Sequence, residues 1–326
     1  MHVSLVRKVG WIIGVVALLT AWASEPALAQ SCNFSISSLN FGSIDLTANG
    51  TFTSTATFSA SCTGTGNTTV RACPNIDVGS GGSTSGNPRF LLNGATRLNF
   101  NLYQDNSYSS VWGSNLWAFA GSYPSPTIDI PLNSGGTGSA SQTIYGQIWS
   151  GQQTLPAGSY SSTFSGTQAS VAYAYSTVGT CATIGGSNAT SAAFSVSAAD
   201  VTTCSVGATT LNFGATGVLR STLDATSSVT VVCTNAAPYT LALDGGLSAA
   251  TNPSQRKMTQ GGQTITYGLY QDSSRTQPWG DSAGNNTVAS SGSGLTQTFT
   301  VYGRVPAQTT PPPGTYNDTV VVTLTY

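Results

Sequence analysis

The chain has almost no histidine and little charge. Its one histidine is His2, and Asp, Glu, Lys and Arg together make up 6% of the 326 residues. Without an imidazole, a Ser-His-Asp or Cys-His nucleophile cannot be built. The few charges are scattered and form no basic patch of the kind that nucleic-acid binding needs. The sequence therefore predicts a protein that is not an enzyme, takes no cofactor and binds no nucleic acid.

A long apolar stretch occurs only at the N-terminus, where it has the pattern of a secretion signal. Arg7 and Lys8 precede an apolar run over residues 11–20, and a small-residue cleavage pattern ends at Ala29. A retained transmembrane helix is the alternative, but the run is shorter than the roughly 20 residues that span a bilayer. We expect residues 1–29 to be removed before Gln30, which leaves an exported chain.

The cysteines indicate disulfides and no metal. Six cysteines remain after residue 29 without a Cys-x-x-Cys spacing, and no histidine accompanies them, so a zinc site is not supported. An even number of cysteines in an exported chain is typical of disulfides, and six allow 15 connectivities.

The abundant residues are Ser, Thr, Gly and Asn, interleaved with Val, Leu, Phe and Tyr, and no segment carries a helical period. This composition is typical of an all-β protein. About 300 residues is large for one β-sandwich, so two domains are expected.

Internal repeats identify the two domains. Five short blocks recur in the same order and at nearly constant spacing, which predicts two copies of one β-sandwich. The matching blocks are Leu39-Asn40-Phe41-Gly42 with Leu211-Asn212-Phe213-Gly214, Leu102-Tyr103-Gln104-Asp105 with Leu269-Tyr270-Gln271-Asp272, Trp112-Gly113 with Trp279-Gly280, Tyr145-Gly146 with Tyr302-Gly303, and residues 156–160 with residues 312–316.

The repeat also narrows the disulfide pairing. Cys32 and Cys204 each precede their Leu-Asn-Phe-Gly block by seven residues, and the next cysteine follows 30 residues later in one copy and 29 in the other. The repeat therefore predicts two equivalent bridges and one extra bridge in the first copy: Cys32–Cys62, Cys204–Cys233 and Cys73–Cys181.

Residues 318–326 alternate in the pattern of a strand with one apolar face, and their counterpart in the first copy is residues 169–175. In the first copy another strand with one apolar face follows, formed by Phe194, Val196 and Ala198. A plain linker is the alternative, but linkers rarely alternate a Phe and a Val on one face. We expect the domains to be residues 30–190 and 203–326, joined by residues 191–202.

These two strand patterns suggest that each sandwich lacks one strand. Residues 192–199 would complete the first copy from within the chain, whereas the second copy would take a strand from another protein, which is donor-strand complementation. The predicted edge of the second copy's acceptor groove is formed by Val320, Val322, Leu324 and Tyr326.

The blocks and the terminal strand together resemble the spore coat protein U domain family, which includes pilins of archaic, Csu-type chaperone–usher pili; two-domain members resemble the tip adhesins of such pili. The resemblance covers essentially the whole chain after residue 29. It implies two tandem incomplete immunoglobulin-like β-sandwiches, the second lacking its final strand. It also implies three assembly partners: a periplasmic chaperone, an outer-membrane usher, and a next pilin subunit that donates an N-terminal strand.

The predicted cleavage site favours the tip position. Only Gln30 and Ser31 precede Cys32 after cleavage, and at about 3.3 Å per residue they are too short to fill a neighbour's groove. A subunit that receives a strand and donates none would stand first in the fibre, at the cell surface.

The spacing from the Trp of the Trp-Gly block to the Tyr of the Tyr-Gly block is 33 residues in the first copy and 23 in the second. The first copy's additional aromatic residues are candidates for contacts with an abiotic or host surface, since function often lies in loops, and such contacts would support attachment and biofilm formation. The alternative is that they cover the core of a larger domain. The candidates, with two residues from a second departure between the copies, are Leu116, Trp117, Phe119, Tyr123, Trp149 and Leu155.

Two other functions fit the same pattern. One is a non-adhesive structural pilin or spore-coat-like subunit, in which case substitutions in these loops would leave binding unchanged. The other is a secreted glycan-binding module, in which aromatic rings stack on sugars and the isolated monomer is stable without a chaperone.

Overall fold

The structure is a computed structural model, and it describes residues 29–84, 88–115, 123–184 and 190–326. Nearly all regular structure in these ranges is β-strand. None of the helices in them is long and apolar enough to cross a bilayer. Residues 1–28 of the predicted signal peptide and the candidates Leu116, Trp117 and Phe119 lie outside the described residues.

The first repeat forms two facing sheets, with strand orders β1-β3-β8-β6-β5-β9-β12-β2 and β11-β10-β4-β7. Short helical turns cover Leu46–Ala48, Gly166–Gln168 and, as α1, Cys181–Ile184. The strands are β1 (Ser31–Ile36), β2 (Leu39–Ile44), β3 (Phe52–Thr63), β4 (Thr69–Ile76), β5 (Arg89–Asn93), β6 (Thr96–Tyr103), β7 (Ile128–Pro131), β8 (Thr137–Ile148), β9 (Gly158–Phe164), β10 (Ala169–Ala174), β11 (Thr190–Ser191) and β12 (Phe194–Asp200).

The second repeat has the same plan with fewer strands, in the orders β13-β14-β19-β17-β16 and β18-β15-β20. Each repeat buries its own core between its two sheets. The strands are β13 (Cys204–Ala208), β14 (Leu223–Cys233), β15 (Pro238–Leu243), β16 (Arg256–Gln260), β17 (Gln263–Tyr270), β18 (Val288–Ser291), β19 (Gln297–Val305) and β20 (Val322–Thr325).

Strand β3 illustrates why this composition folds as sheets. Its sequence FTSTATFSASCT alternates, with Ala56, Phe58, Ala60 and Cys62 buried and the intervening Ser and Thr exposed. Successive side chains of a strand point to opposite faces, so the hydroxyl side chains meet water while the apolar ones meet the core. The all-β prediction is confirmed on these terms.

Three disulfides join the pairs that the repeat predicts. Cys32 lies opposite Cys62 where β1 pairs with β3, and Cys204 lies opposite Cys233 where β13 pairs with β14. The third bridge, from Cys73 in β4 to Cys181 in α1, fastens a short helix onto the face of the β11-β10-β4-β7 sheet that points away from the main core.

Each sandwich contains a buried arginine at an equivalent position. The repeated sequence blocks do not include these two arginines. Arg89 donates hydrogen bonds to the carbonyl oxygens of Ile76, Asp77 and Trp112. Arg256 occupies the same place in the second sandwich and donates to the carbonyls of Leu243, Asp244 and Trp279. Burial lowers the pKa of Arg89 to about 9, so the guanidinium stays charged at neutral pH.

Candidate functional site

The last strand of the first sandwich lies in a slot between two other strands. Strand β12 runs antiparallel to β9, with Phe194 opposite Phe164 and Asp200 opposite Gly158. On its other side it runs parallel to β2, with Val196 opposite Leu39. Strand β12 is the last strand of the domain in chain order, and it joins β9 to β2 in the eight-stranded sheet.

The three apolar residues predicted for this strand point into the core. Phe194, Val196 and Ala198 are 6%, 0% and 3% exposed. The Phe194 ring stacks on Phe164. Burial of this face stabilises the first sandwich by removing apolar surface from water.

The matching slot of the second sandwich holds no strand. By the repeated blocks, residues 211–215 correspond to β2 and residues 314–320 to β9, yet neither segment is a strand. A single bridge, Thr259 to Asn317, holds the second segment, and it corresponds to the Leu92–Ser161 pair of the first sandwich. In the part of the chain that the structure describes, nothing takes the place of β12 between these segments.

The empty slot leaves apolar side chains open to solvent. Phe164 is fully buried and stacks on Phe194 of β12, whereas its counterpart Val320 lines the groove and is only partly buried. Leu39 is fully buried beneath β12, and its counterpart Leu211 is only partly buried. The same sequence position thus changes from core to surface when the strand beside it is missing.

The slot is a groove of about 350 Å³. Apolar side chains from both sheets form its floor, so an extended strand could place every second side chain among them. Its lining includes Ala208, Leu211, Val229, Met258, Tyr267 and Val320.

The terminal strand contributes less to this groove than the sequence suggests. Val320 and Val322 line the groove. Leu324 packs against the second core beside it, and Tyr326 is 62% exposed. The reason is that residues 318–326 do not form one strand: β20 begins at Val322 and pairs with β15 in the other sheet.

Two of the candidate surface residues approach the same side chain. The Trp149 indole N–H donates to the Tyr103 hydroxyl at 3.2 Å. Burial raises the pKa of Tyr103, and the nearby Tyr123 hydroxyl adds to that shift. Tyr123 and Trp149 are both partly buried, and Tyr108 packs edge-on against Tyr103. These rings form an aromatic cluster on one side of the first sandwich.

Leu155 lies elsewhere. It is partly buried against the first core, and its chain neighbours contact the second domain. The Thr154 carbonyl accepts from the Asn235 side-chain amide at 2.6 Å, and Pro156 forms a bridge with Asn235. The loop of Leu155 therefore packs between the domains instead of presenting Leu155 beside Tyr123 and Trp149.

The two repeats decide the family. The sequence matches the Spore Coat Protein U domain twice, over residues 18–167 and residues 190–323. The chain belongs to this family. Protein U of Myxococcus xanthus is 35% identical over 139 residues, a match that spans 38% of this chain and 77% of that protein.

A solved structure has the same fold as this two-domain Spore Coat Protein U chain. It is reported as the chaperone–tip adhesion subunit pre-assembly complex from the archaic chaperone–usher Csu pili of Acinetobacter baumannii. The match has a TM-score of 0.51 at 18% identity and covers 91% of this chain and 100% of that chain. The similarity supports an all-β fold of two tandem immunoglobulin-like sandwiches.

In the first Spore Coat Protein U domain, residues 177–184 cover the outer face of the smaller sheet, and the second domain has no matching contacts among its described residues. Arg71 forms a salt bridge with Asp129 and donates to the Thr177 and Gly179 carbonyls. These bonds, with the Cys73–Cys181 bridge, hold residues 177–184 against the outer face of the sheet. The counterparts of Arg71 and Cys73 are Pro238 and Thr240, which can make neither contact.

Asp318 is a groove residue that the sequence did not suggest. Its carboxylate accepts the Tyr267 hydroxyl at 2.7 Å and the backbone N–H groups of Leu247 and Thr319. Burial, and then this hydrogen bond, raise the pKa of Tyr267. Because these donors already occupy the carboxylate, Asp318 fixes the wall of the groove in the absence of a strand.

Among the described residues, no group of His, Cys, Asp and Glu has the arrangement of a metal site.

Proposed function

We propose that this chain is the tip adhesin subunit of a chaperone–usher pilus, exported through the periplasm to the cell surface. Its second domain receives a strand from the next pilin subunit, and its first domain contacts the target surface in attachment and biofilm formation. The observation that carries the proposal is the difference between the two slots: β12 fills one, and the equivalent groove of the second domain is lined by apolar residues.

An open apolar groove of this kind needs a partner both before and after the subunit is assembled into a fibre. Unpaired strand edges and apolar grooves promote aggregation, so we propose that a periplasmic chaperone covers the groove before assembly. An outer-membrane usher then exchanges the chaperone for the N-terminal strand of the next pilin subunit. Strand addition of this type combines main-chain hydrogen bonds with pockets for alternate side chains.

The first domain suits the binding role because its own slot is already filled. With β12 in place it needs no further subunit, and the disulfide-anchored cover and aromatic cluster distinguish it from the second domain. We propose that the contact with an abiotic or host surface is made by Trp117, Phe119, Tyr123 and Trp149. Aromatic side chains bring large apolar area to such a contact.

The test is to produce the mature chain in a bacterial periplasm with and without the chaperone of its own pilus system. We expect the chain alone to be degraded or to aggregate, and co-production to yield a stable one-to-one complex. A control is Ala208→Trp, which places a large side chain in the groove and should weaken that complex. Equal yields of monomer with and without the chaperone would contradict the proposal and favour a free secreted protein.

A further inference from the structure

Strands β1, β3 and β8 of the first sandwich contain no charged residue. Neighbouring strands lie about 5 Å apart, and every second residue along a strand is about 7 Å further on. The side chains that point away from the core therefore form a flat and regular array, which we call the hydroxyl face. Its central members are paired across β3 and β8: Thr55 with Tyr145, Thr57 with Thr143, and Ser59 with Ser141.

Two tyrosines lie at one end of the hydroxyl face. Tyr145 belongs to the face, and Tyr108 reaches it from the turn that follows β6. Their rings meet edge to face with their centroids 6.4 Å apart, and Tyr108 also contacts Tyr103, the residue opposite Tyr145 on β6. Tyr103 is buried, whereas Tyr108 and Tyr145 are partly exposed.

The second domain covers the matching ring with an arginine. Arg275 takes the place of Tyr108 in the repeat, and both residues have a left-handed backbone, with φ of 58° and 55°. Because this conformation is uncommon for residues other than glycine, the shared turn, and not the side chain, sets the direction in which each residue points. The Arg275 guanidinium lies 5.7 Å from the centre of the Tyr302 ring, which is the counterpart of Tyr145.

Ion pairs hold that arginine in place. Asp224 lies 3.2 Å from Arg275 and 2.8 Å from Arg304. The first domain has Thr53 and Gln147 at the positions of Asp224 and Arg304, and these side chains cannot form an ion pair. Rows of Ser and Thr across the paired strands occur in both domains. The feature that distinguishes the first domain is therefore its pair of partly exposed tyrosines in uncharged surroundings.

These surroundings suit a neutral sugar chain. A sugar ring presents C–H groups on its faces and hydroxyl groups at its edges. The C–H groups would lie against the negative face of an aromatic ring, and the edge hydroxyls would bond to Ser and Thr side chains, each of which can donate and accept. Nucleic acid would need cations that this face lacks, and short hydroxyl side chains offer a protein partner no pocket for an apolar anchor.

We propose that Tyr108 and the hydroxyl face form a binding site for neutral polysaccharide, separate from the loop residues Trp117 and Phe119. The sugar chain lies along β3 and β8, stacks on Tyr108 and Tyr145, and exchanges hydrogen bonds with the Ser and Thr hydroxyls of the face. A pilus tip with this site attaches to a matrix polysaccharide as well as to a bare surface. The inference goes beyond the proposed function and does not depend on it, since sugar binding needs neither the groove nor a pilus.

The test uses the mature chain in complex with its chaperone, or the chain alone if it is stable without one. Retention on insoluble cellulose and retardation by soluble mannan in a native gel measure binding to two uncharged polysaccharides, and alginate is the acidic comparison. We expect binding to at least one of the uncharged polysaccharides and none to alginate. Failure to bind either cellulose or mannan, or equal binding to alginate, would overturn the inference.

Substitutions at Tyr108 locate the site. Tyr108→Ala removes a ring and should weaken binding about tenfold or more, whereas Tyr108→Phe keeps the ring and should bind within about threefold of the parent chain. Tyr108→Arg introduces the residue that the same turn carries in the second domain, so it should fold normally and still lose binding. The matched control is Tyr302→Ala, which removes the equivalent of Tyr145 from the second domain and should leave binding unchanged. Binding by Tyr108→Ala and Tyr108→Arg that equals that of the parent chain would contradict the inference.

The outcomes separate this inference from the proposed function. Trp117→Ala with Phe119→Ala should bind polysaccharide as the parent chain does, and loss of that binding would place the sugar site on the loops and overturn the inference. A chain that is stable without its chaperone would contradict the proposed function. Polysaccharide binding that Tyr108→Ala removes would support the inference in that case too.

Discussion

The rings of Phe164 and Phe194 stack with their centroids 4.6 Å apart and their planes 7° from parallel. Phe164 ends β9 and Phe194 begins β12, so this contact fixes where the completing strand of the first domain enters its slot. The residue matching Phe164 in the second domain is Val320, which lines an open groove. The different surroundings of Phe164 and Val320 therefore distinguish the filled slot of the first domain from the open groove of the second.

Removal of the Phe194 ring should destabilise the first domain specifically. Phe194→Ala leaves a cavity next to Phe164 and is expected to cost about 3–5 kcal/mol of unfolding free energy. Chemical denaturation of the mature chain measures this loss. Ser197→Ala, on the opposite face of β12, is the control and should change stability by about 0.5 kcal/mol or less. Equal stability of the two variants would mean that β12 does not hold the domain together.

The buried acid of β12 should make stability depend on pH. Burial raises the pKa of Asp200 to about 6, with the N–H of Leu46 opposing the shift and the charge of Asp45 adding to it. The folded state then binds the proton more tightly than the unfolded state, so unfolding free energy falls as the pH rises from about 4 to about 6 and is level above that. Tyr160 also faces this carboxylate.

Asp200→Asn should remove this part of the pH dependence. Thermal unfolding of the variant and the parent chain, measured at pH values from 4 to 7.5, supplies the comparison. We expect the two to diverge as the pH rises, with the variant the more stable at neutral pH, because it buries no charge. If the difference between their unfolding temperatures stays constant across this range, Asp200 does not titrate as described.

The surface-binding proposal predicts a separation of adhesion from assembly. Trp117→Ala with Phe119→Ala should abolish attachment while pili still assemble, because the groove lies in the other domain. Each ring buried on a surface contributes about 1.5–3 kcal/mol, so binding of a single subunit should fall roughly a hundredfold or more, a loss that many pili per cell amplify.

The control for that experiment removes an exposed apolar side chain from the second domain. Leu295 is 51% exposed, and Leu295→Ala should leave attachment unchanged. Attachment to glass or plastic, measured with pilus number held constant, is the readout. Normal attachment of the double variant would remove Trp117 and Phe119 from the binding surface and favour a non-adhesive structural subunit.

The sequence predicted those parts of the structure that depend on repeated sequence blocks or on the alternation of apolar and polar residues. The five repeated blocks predicted two sandwiches and the three disulfide pairs, and the alternation of Phe194 and Val196 marked a strand where a linker was the alternative. These features are local or recur at a fixed spacing, so one chain is enough to find them.

The position of the groove depended on sheet pairing, which alternation does not encode. Residues 318–326 alternate throughout, yet the chain crosses from one sheet to the other near Val320, and β20 pairs away from the groove. Leu155 packs against the first core, and its neighbours Thr154 and Pro156 contact Asn235 of the second domain. Asp200 accepts a hydrogen bond from Leu46, and Thr310 accepts one from Leu219. The two residues of each pair lie far apart in the sequence, so the sequence alone does not predict these contacts.

Hydrogen exchange along the two slots of the mature chain tests the central claim most directly. The backbone amides of β2 and β9 are paired with β12, so they should be strongly protected. The matching residues, 211–215 and 314–320, should exchange fast in the lone chain and become protected when the chaperone or a donor strand is added. Equal protection of both slots in the lone chain would contradict the account, since it would mean that the second domain is already complete.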